Sequence, residues 1–177
     1  MVAAGGVGET LGAVARGEVA SVVVGLEPPW DTRSATATPT PMTSTVTITE
    51  QDAPLVACTV GLPGLYNVDN ALAATAVCRS MGVDADTIGR ALGTFRGLEN
   101  RFTVVEVDAR RVIKDYISHP TGIRRVLAAA KEDGRHITAV FKPYRFTMIN
   151  YLQDDYAEAF HDADHTVITE LYTAGEV

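Results

Sequence analysis

The amino-acid sequence predicts an α/β protein in which antiparallel strands and two helices precede a parallel sheet with crossover helices. Three observations lead to this prediction: alternating apolar runs before residue 62, helical spacing between residues 63 and 97, and strand and helix patterns that alternate thereafter. Strands that alternate with helices of this length are typical of βαβ units. We therefore place a domain boundary near Gly97–Arg101 and expect two domains, 1–97 and 98–177.

The first half contains predicted strands at "VASVVVGL" (19–26), "TSTVTITE" (43–50) and "PLVACTVGL" (54–62), the last two as an antiparallel pair. The stretch "EPPWDTRSATATPTP" is rich in Pro, Thr and Ala, so we expect a loop or a loose edge there, with Trp30 in local packing. Helical spacing then runs through "NVDNALAATAVC" to a stop at Gly82. Asp84 caps a second helix, which Gly97 ends.

In the second half, "FTVVEV", "RRVIKDY", "HITAVF" and "HTVITEL" read as strands, with helices over 119–133 and 151–160. Two of these strands run into polar clusters, "KDYISHPT" and "KPYRFT". Because ligands of open α/β sheets bind beyond the carboxyl ends of the strands, we expect Asp115 and Arg145 to emerge from neighbouring parallel strands onto one cleft rim. The alternative is that these polar residues only cap helices and form loops.

Composition narrows the classes of function. The 177 residues are 46% hydrophobic and 21% charged, which is ordinary for a soluble globular protein. The formal net charge of −7 argues against a broad nucleic-acid-binding face, although it does not exclude a single nucleotide. No apolar run is long enough for a bilayer, and the N-terminus has no signal pattern. We expect a cytoplasmic protein without nucleic-acid or membrane partners, with Cys58 and Cys78 reduced.

Five motifs follow one another in the chain: "GLYNVDNALAATAV", "GLENRFTVV", "KDYISHPTGI", "VFKPYRFT" and "ELYTAGE". In this order they resemble the Mur ligases, above all the UDP-N-acetylmuramate–L-alanine ligase branch. The resemblance covers Gly61–Glu176. It implies that 1–97 is the C-terminal portion of the family's central ATP-binding domain and that 98–177 is part of its Rossmann-like C-terminal domain.

The resemblance implies an ATP- and Mg²⁺-dependent ligase of peptidoglycan precursor synthesis, and hence of cell wall, cell shape and division. Such enzymes join L-alanine to UDP-N-acetylmuramate through an acyl phosphate. The family's phosphate loop is not matched, since "GGVGET" at Gly5–Thr10 has Glu9 where a lysine is needed. We therefore expect this chain alone to be inactive. Two alternatives stay open: a related ligase for another amino acid or a peptide, and a non-catalytic truncated or split product that partners a missing N-terminal portion.

The resemblance also assigns four residues to ATP. Asn67 and Asn70, three residues apart on one helix face, match asparagines at the adenine end. Arg101 matches an arginine that reaches the phosphates, and Asp115 matches an aspartate that accepts hydrogen bonds from the ribose hydroxyls. Without the family context, the asparagines are equally explained as a cap and polar surface, and Arg101 as a solvated linker residue.

By the same resemblance, Tyr116, His119 and Arg145 lie near the incoming amino acid, with Arg145 suited to pair with its α-carboxylate. The chain departs from the family pattern at three positions near this site, where the family has His, His and Arg: Ser118, Tyr144 and Met148. These departures leave the preferred amino acid open. We expect no metal site at "HDADH" (161–165), which lacks the Glu of an HExxH helix.

Overall fold

The computed structural model describes residues 20–24, 33–40, 42–50 and 53–176. The chain divides into two compact units, Met1–Arg96 and Gly97–Val177. The division lies next to the boundary that the sequence predicts, and the correspondence of each unit to a domain of a larger enzyme stays a prediction. Trp30 and the "GGVGET" string lie outside the described residues.

The first unit contains a four-stranded antiparallel sheet in chain order: β1 (Ala20–Val24), β2 (Arg33–Thr40), β3 (Thr43–Glu50) and β4 (Ala53–Val60). The predicted antiparallel pair of β3 and β4 is confirmed. The prediction of a loop or loose edge over residues 33–40 is wrong, because β2 pairs with β1 on one side and with β3 on the other. Its Ala35 and Ala37 are buried in the core, and Pro39 lies beyond the residues that β1 pairs with, where a missing N–H is tolerated.

Two helices follow the sheet, α1 (Leu65–Ser80) and α2 (Ala85–Thr94). α1 packs Val68 and Leu72 against Val46 and Ile48 of β3, and burial of each side chain contributes about 1.5–3 kcal/mol. The predicted cap of α2 is confirmed, since the Asp84 carboxylate accepts the backbone N–H of residue 87 at 2.8 Å. Gly82 follows α1 with a φ of 83°, the left-handed conformation that ends many helices. Both cysteine thiols are unpaired.

The second unit begins with a hairpin of β5 (Thr103–Val107) and β6 (Arg110–Lys114). Its two turn residues, Asp108 and Ala109, both have positive φ, as in the type I′ turns that suit two-residue hairpins. A parallel pair, β7 (Thr138–Phe141) and β8 (His165–Ile168), lies elsewhere in the unit.

Three helices complete the second unit: α3 (Pro120–Lys131), α4 (Phe146–Tyr151) and α5 (Gln153–Glu158). The region predicted as one helix over 151–160 is therefore two short helices that begin five residues earlier. The core of the unit joins α3, β7 and α5 through Ile123, Leu127, Phe141, Tyr156 and Ala159. No helix in the described part of the chain is both long and apolar enough to cross a membrane.

The prediction that Asp115 and Arg145 follow neighbouring parallel strands is wrong. β6 is hydrogen-bonded to β5 in antiparallel fashion, and β7 is hydrogen-bonded to β8. A two-residue turn brings β5 and β6 together at low entropic cost, whereas a β6–β7 pair requires closure over the whole of α3. A cavity of about 980 Å³ is lined by both β6 and β7. All four residues of β7 line it.

Candidate functional site

Polar side chains from the two predicted clusters meet at the cavity of the second unit, although their strands are not paired. Asp115, Tyr116 and Ser118 line it from the segment after β6, and Lys142 and Tyr144 line it from the segment after β7. Much of the remaining wall is apolar and comes from α3 and β7. Polar residues line it elsewhere as well, among them Arg111, Asp133, Arg135 and His136, so the cavity holds polar groups beyond those that follow the two strands.

Asp115 is the most constrained polar group of the site. Its side chain is only 9% exposed, and its Oδ2 accepts the backbone N–H of Phe102 at 2.9 Å. Among the described residues Oδ1 has no hydrogen-bond donor, and its nearest cation is Nη1 of Arg101 at 3.7 Å. Burial raises the pKa of Asp115, and the Phe102 N–H and Arg101 oppose that rise. A buried carboxylate oxygen without a donor is unfavourable, so we expect a further donor to complete the hydrogen bonding of Oδ1.

Arg101 is held beside this carboxylate by the loop that leads into β5. Its Nη1 donates to the carbonyl oxygen of Tyr116 at 2.9 Å, while its side chain is 58% exposed. The loop is turned sharply, because Asn100 and Phe102 on either side both have positive φ. The structure thus brings together Arg101, Asp115 and Tyr116, three of the residues that the sequence predicts.

Arg145 is an exposed residue at the start of α4, with a φ of 65° and a ψ of 132°. Its guanidinium carbon lies 5.3 Å from the centroid of the Tyr144 ring. A hydrogen bond with the Tyr144 side chain raises the pKa of Arg145, and the charges of Glu176 and Tyr116 raise it further. The Tyr116 side chain is 74% exposed.

His119 acts as the N-cap of α3. Its Nδ1 accepts the backbone N–H of Thr121 at 3.3 Å, which requires an unprotonated Nδ1, and Pro120 occupies the first turn as predicted. The neighbouring Ser118 carbonyl accepts the hydroxyl of Tyr156, which ties this loop to the core. His119, like Arg101 and Arg145, does not line the cavity, and its contact with Thr121 favours the capping role that the sequence left open as an alternative.

Asn67 and Asn70 lie in the first unit, on the first turns of α1. The Asn67 amide is buried and engaged on both sides: its nitrogen donates to the Pro63 carbonyl at 2.7 Å, and its oxygen accepts from Asn70 at 3.2 Å. Asn70 is exposed. Asn70 is therefore the accessible member of the pair, and Asn67 orients it.

The "ELYTAGE" segment (170–176) makes contacts that the sequence does not predict. Lys142 Nζ lies 5.7 Å from the centroid of the Tyr172 ring, which packs on Tyr144 at 5.7 Å between centroids. Glu176 accepts two hydrogen bonds from Thr147. The motif is one of the five that carry the family resemblance. Its contact partners are 28 or more residues away in the chain, however, and no local pattern predicts them.

Metal ligation finds little support in the described residues. No group of three or more His, Cys, Asp or Glu side chains among them is arranged to hold an ion. At the "HDADH" string, the rings of His165 and His136 lie 5.1 Å apart in a tilted arrangement.

Comparison with known proteins gives consistent results, although no protein-family model matches the chain. The UDP-N-acetylmuramate–L-alanine ligase of Jannaschia sp. (strain CCS1) is 44% identical over 134 residues, which are 74% of this chain and 28% of that enzyme. The enzyme of the same name from Paracoccus denitrificans (strain Pd 1222) is 42% identical over 132 residues, 73% of this chain and 28% of that enzyme.

A solved structure gives the same result. The UDP-N-acetylmuramate–alanine ligase of Thermotoga maritima superposes with a TM-score of 0.66 at 31% identity, over 76% of this chain and 30% of that one. The chain thus spans about 28% of the length of the curated relatives it matches.

Proposed function

This chain belongs to the Mur ligase family, in its UDP-N-acetylmuramate–L-alanine ligase branch, and we propose that it carries nucleotide and amino-acid contacts of such an enzyme. The complete reaction phosphorylates the carboxylate of UDP-N-acetylmuramate with ATP, and the amine of L-alanine then displaces phosphate from the acyl phosphate. Because this step requires positioning and charge neutralisation more than covalent help from the protein, binding residues dominate the site. We expect the protein to be located in the cytoplasm.

The observation that carries the proposal is the Oδ1 atom of Asp115, which is buried without a hydrogen-bond donor among the described residues. A ribose diol supplies the hydroxyl donors that a carboxylate oxygen accepts. We assign phosphate contact to Arg101, whose exposed guanidinium lies 3.7 Å from this oxygen. We assign adenine contact to Asn70, with Asn67 as the residue that orients it.

The amino acid is assigned to the exposed end of the site. Arg145 offers a cation to the α-carboxylate, and the exposed Tyr116 is assigned to the same substrate. His119 shapes the loop through its cap of α3 and is not given a substrate contact. Ser118, smaller than its family counterpart, lines the cavity and is the position at which another amino acid would be selected, whereas Met148 packs against the core of the second unit.

Two parts of the family's chemistry are not assigned to this chain. Mg²⁺ accompanies ATP in the family, but the described residues offer no cluster of ligands for it, so we give none of them that role. The family's phosphate-loop motif is not matched in the sequence. We therefore expect the purified chain to bind nucleotide without turning ATP over, and ATP-dependent ligation of L-alanine to UDP-N-acetylmuramate by this chain alone would overturn that expectation.

The experiment that tests the nucleotide site compares ATP with 2′,3′-dideoxy-ATP, which lacks both ribose hydroxyls, as ligands of the purified chain in calorimetry. A hydrogen bond to a charged acceptor is worth about 1.5–3 kcal/mol, so the wild-type chain should prefer ATP by about tenfold or more. The substitution Asp115→Asn should reduce this preference. The matched control Asp154→Asn, at an exposed position of α5, should retain it. Equal affinity of the wild-type chain for both nucleotides would contradict the assignment.

A further inference from the structure

Arg145 adopts a backbone conformation that L residues rarely use. A φ of 65° with a ψ of 132° lies outside the main allowed regions and close to a region populated almost only by glycine. Such conformations persist only where the surrounding structure determines them, and they cluster at ligand-binding sites. The amino-acid carboxylate is assigned to Arg145. The interactions that keep Arg145 in this conformation therefore bear on substrate binding.

The segment 172–176, which we call the C-terminal turn, holds Arg145 through the backbone. The N–H of Arg145 donates to the carbonyl of Tyr172 at 2.9 Å, and the N–H of Tyr172 donates to the carbonyl of Pro143 at 2.9 Å. The turn is itself sharply bent, because Ala174 and Gly175 both have positive φ. Two backbone hydrogen bonds thus fix the residues on either side of Tyr144.

A carboxylate from the same turn fixes the other side of Arg145. Glu176 Oε2 accepts the backbone N–H of Thr147 at 3.1 Å, and its Oε1 accepts the Thr147 hydroxyl at 2.7 Å. These two bonds lower the pKa of Glu176, as expected of a carboxylate that accepts two donors. Arg145 is therefore held from both sides by one short segment.

The Glu176 carboxylate caps the N-terminus of α4 by accepting the Thr147 N–H, and its position in the chain is unusual for a cap. A helix N-terminus is ordinarily capped by Ser, Thr, Asp or Asn at the N-cap position itself. In α4 that position is Arg145, which makes no side-chain cap, and the capping carboxylate comes from a residue 29 positions later in the chain. Placing an arginine at the N-cap gives up the local capping group, so an acceptor from elsewhere is required to keep the helix start in place.

We propose that Glu176 is a positioning residue for Arg145: by holding Thr147, it keeps the start of α4 in the strained conformation that directs the Arg145 guanidinium to the amino-acid carboxylate. Each of its two carboxylate oxygens accepts one hydrogen bond from Thr147, so the role that we give Glu176 is positioning and not substrate contact. The proposal rests on the assignment of the α-carboxylate to Arg145 and deepens it.

The test uses the complete ¹⁵N-labelled chain and two NMR readouts, the backbone amide and Nε–Hε resonances of Arg145 and their response to added L-alanine. Glu176→Ala should shift both Arg145 resonances and weaken L-alanine binding about tenfold. Glu176→Gln should be intermediate, because its amide oxygen still accepts one of the two bonds. If Glu176→Ala proves too unstable to study, Thr147→Val serves in its place. It removes the hydroxyl and keeps the backbone N–H, so its effect on the Arg145 resonances should be smaller. The control Glu170→Gln, exposed and close to the C-terminal turn, should match the wild type.

The outcomes separate three conclusions. If Glu176→Ala lowers the unfolding midpoint but leaves the Arg145 resonances and the L-alanine affinity of the folded chain unchanged, Glu176 is only a stabilising cap and the proposal is wrong. If wild-type chain and Arg145→Lys bind L-alanine equally or not at all, the amino-acid assignment fails. In that case the Arg145 resonances still decide whether Glu176 determines the conformation.

Discussion

Replacement of Asp115 should separate the folding role of this carboxylate from its ligand role, because its two oxygens have different surroundings. Oδ2 accepts the N–H of Phe102, whereas Oδ1 has no donor among the described residues. Asparagine keeps an acceptor for Phe102 and removes the charge. Alanine removes both the acceptor and the charge, so the two variants differ in the hydrogen bond to Phe102 and in the packing of the side chain.

The magnitudes follow from these contacts. Asp115→Ala leaves the N–H of Phe102, a residue only 8% exposed, without its acceptor, which costs about 1–3 kcal/mol. Asp115→Asn keeps a neutral hydrogen bond and relieves the burial of a charge, so it should lie within about 1 kcal/mol of the wild type. The loss of the Arg101 ion pair adds about 0–1 kcal/mol in either variant, because that arginine is largely exposed.

The pH dependence has a definite sign. Burial raises the pKa of Asp115 in the folded chain above its unfolded value of about 3.9. A group with a raised folded pKa contributes stability below its unfolded pKa, and this contribution is lost as pH rises through the folded pKa. Wild-type stability should therefore fall relative to that of Asp115→Asn as pH rises from about 4 towards neutrality.

The assay is urea unfolding of the three chains at acid and neutral pH, with hydrogen exchange at the Phe102 amide as the local readout. We expect Asp115→Ala to lose protection at this amide and Asp115→Asn to keep it. If the Asn variant proves as unstable as the Ala variant, or if Phe102 exchange is unaffected by alanine, then the Oδ2 bond is not what anchors this carboxylate and the reasoning is refuted.

Two further predictions concern the packing and charge of the second unit. Gly122→Ala places a methyl carbon 2.2 Å from Cδ1 of Ile117, so Ile117 must move; the clash should outweigh the helix-propensity gain and lower the free energy of unfolding by about 1–2 kcal/mol in urea titrations. An unchanged value would show that Ile117 relaxes freely. Asp164 accepts from Lys131 and from the Ile137 N–H, which lower its pKa to about 2. Its stabilising contribution should be present above the unfolded pKa and lost as pH falls towards 2, and Asp164→Asn should remove this acid dependence; an unaltered pH profile would contradict it.

Local features of this protein were readable from the chain. Asp84 precedes an apolar repeat and caps α2, and Pro120 stands in the first turn of α3, because capping and proline effects act within four residues. The strands β3 and β4 follow from alternation with a period of two. By contrast, β2 was missed because its Thr, Ala and Pro content resembles a loop, and only its two neighbours make it a strand.

The candidate site likewise has a part that the sequence predicted and a part that only the folded chain shows. The motifs alone identified Arg101, Asp115 and Tyr116, and the structure brings them within contact of one another. A local hairpin decided the partner of β6, and contacts over longer separations decided the rest: the surroundings of the Asp115 oxygen that has no donor among the described residues, and the hydrogen bonds of Arg145 to a turn near residue 172. Residue type and spacing determine which groups are present and which short elements form, because those energies are local. Which groups meet, and which are left without a partner, depends on hydrogen bonds and packing between distant segments, and these arise only in the folded chain.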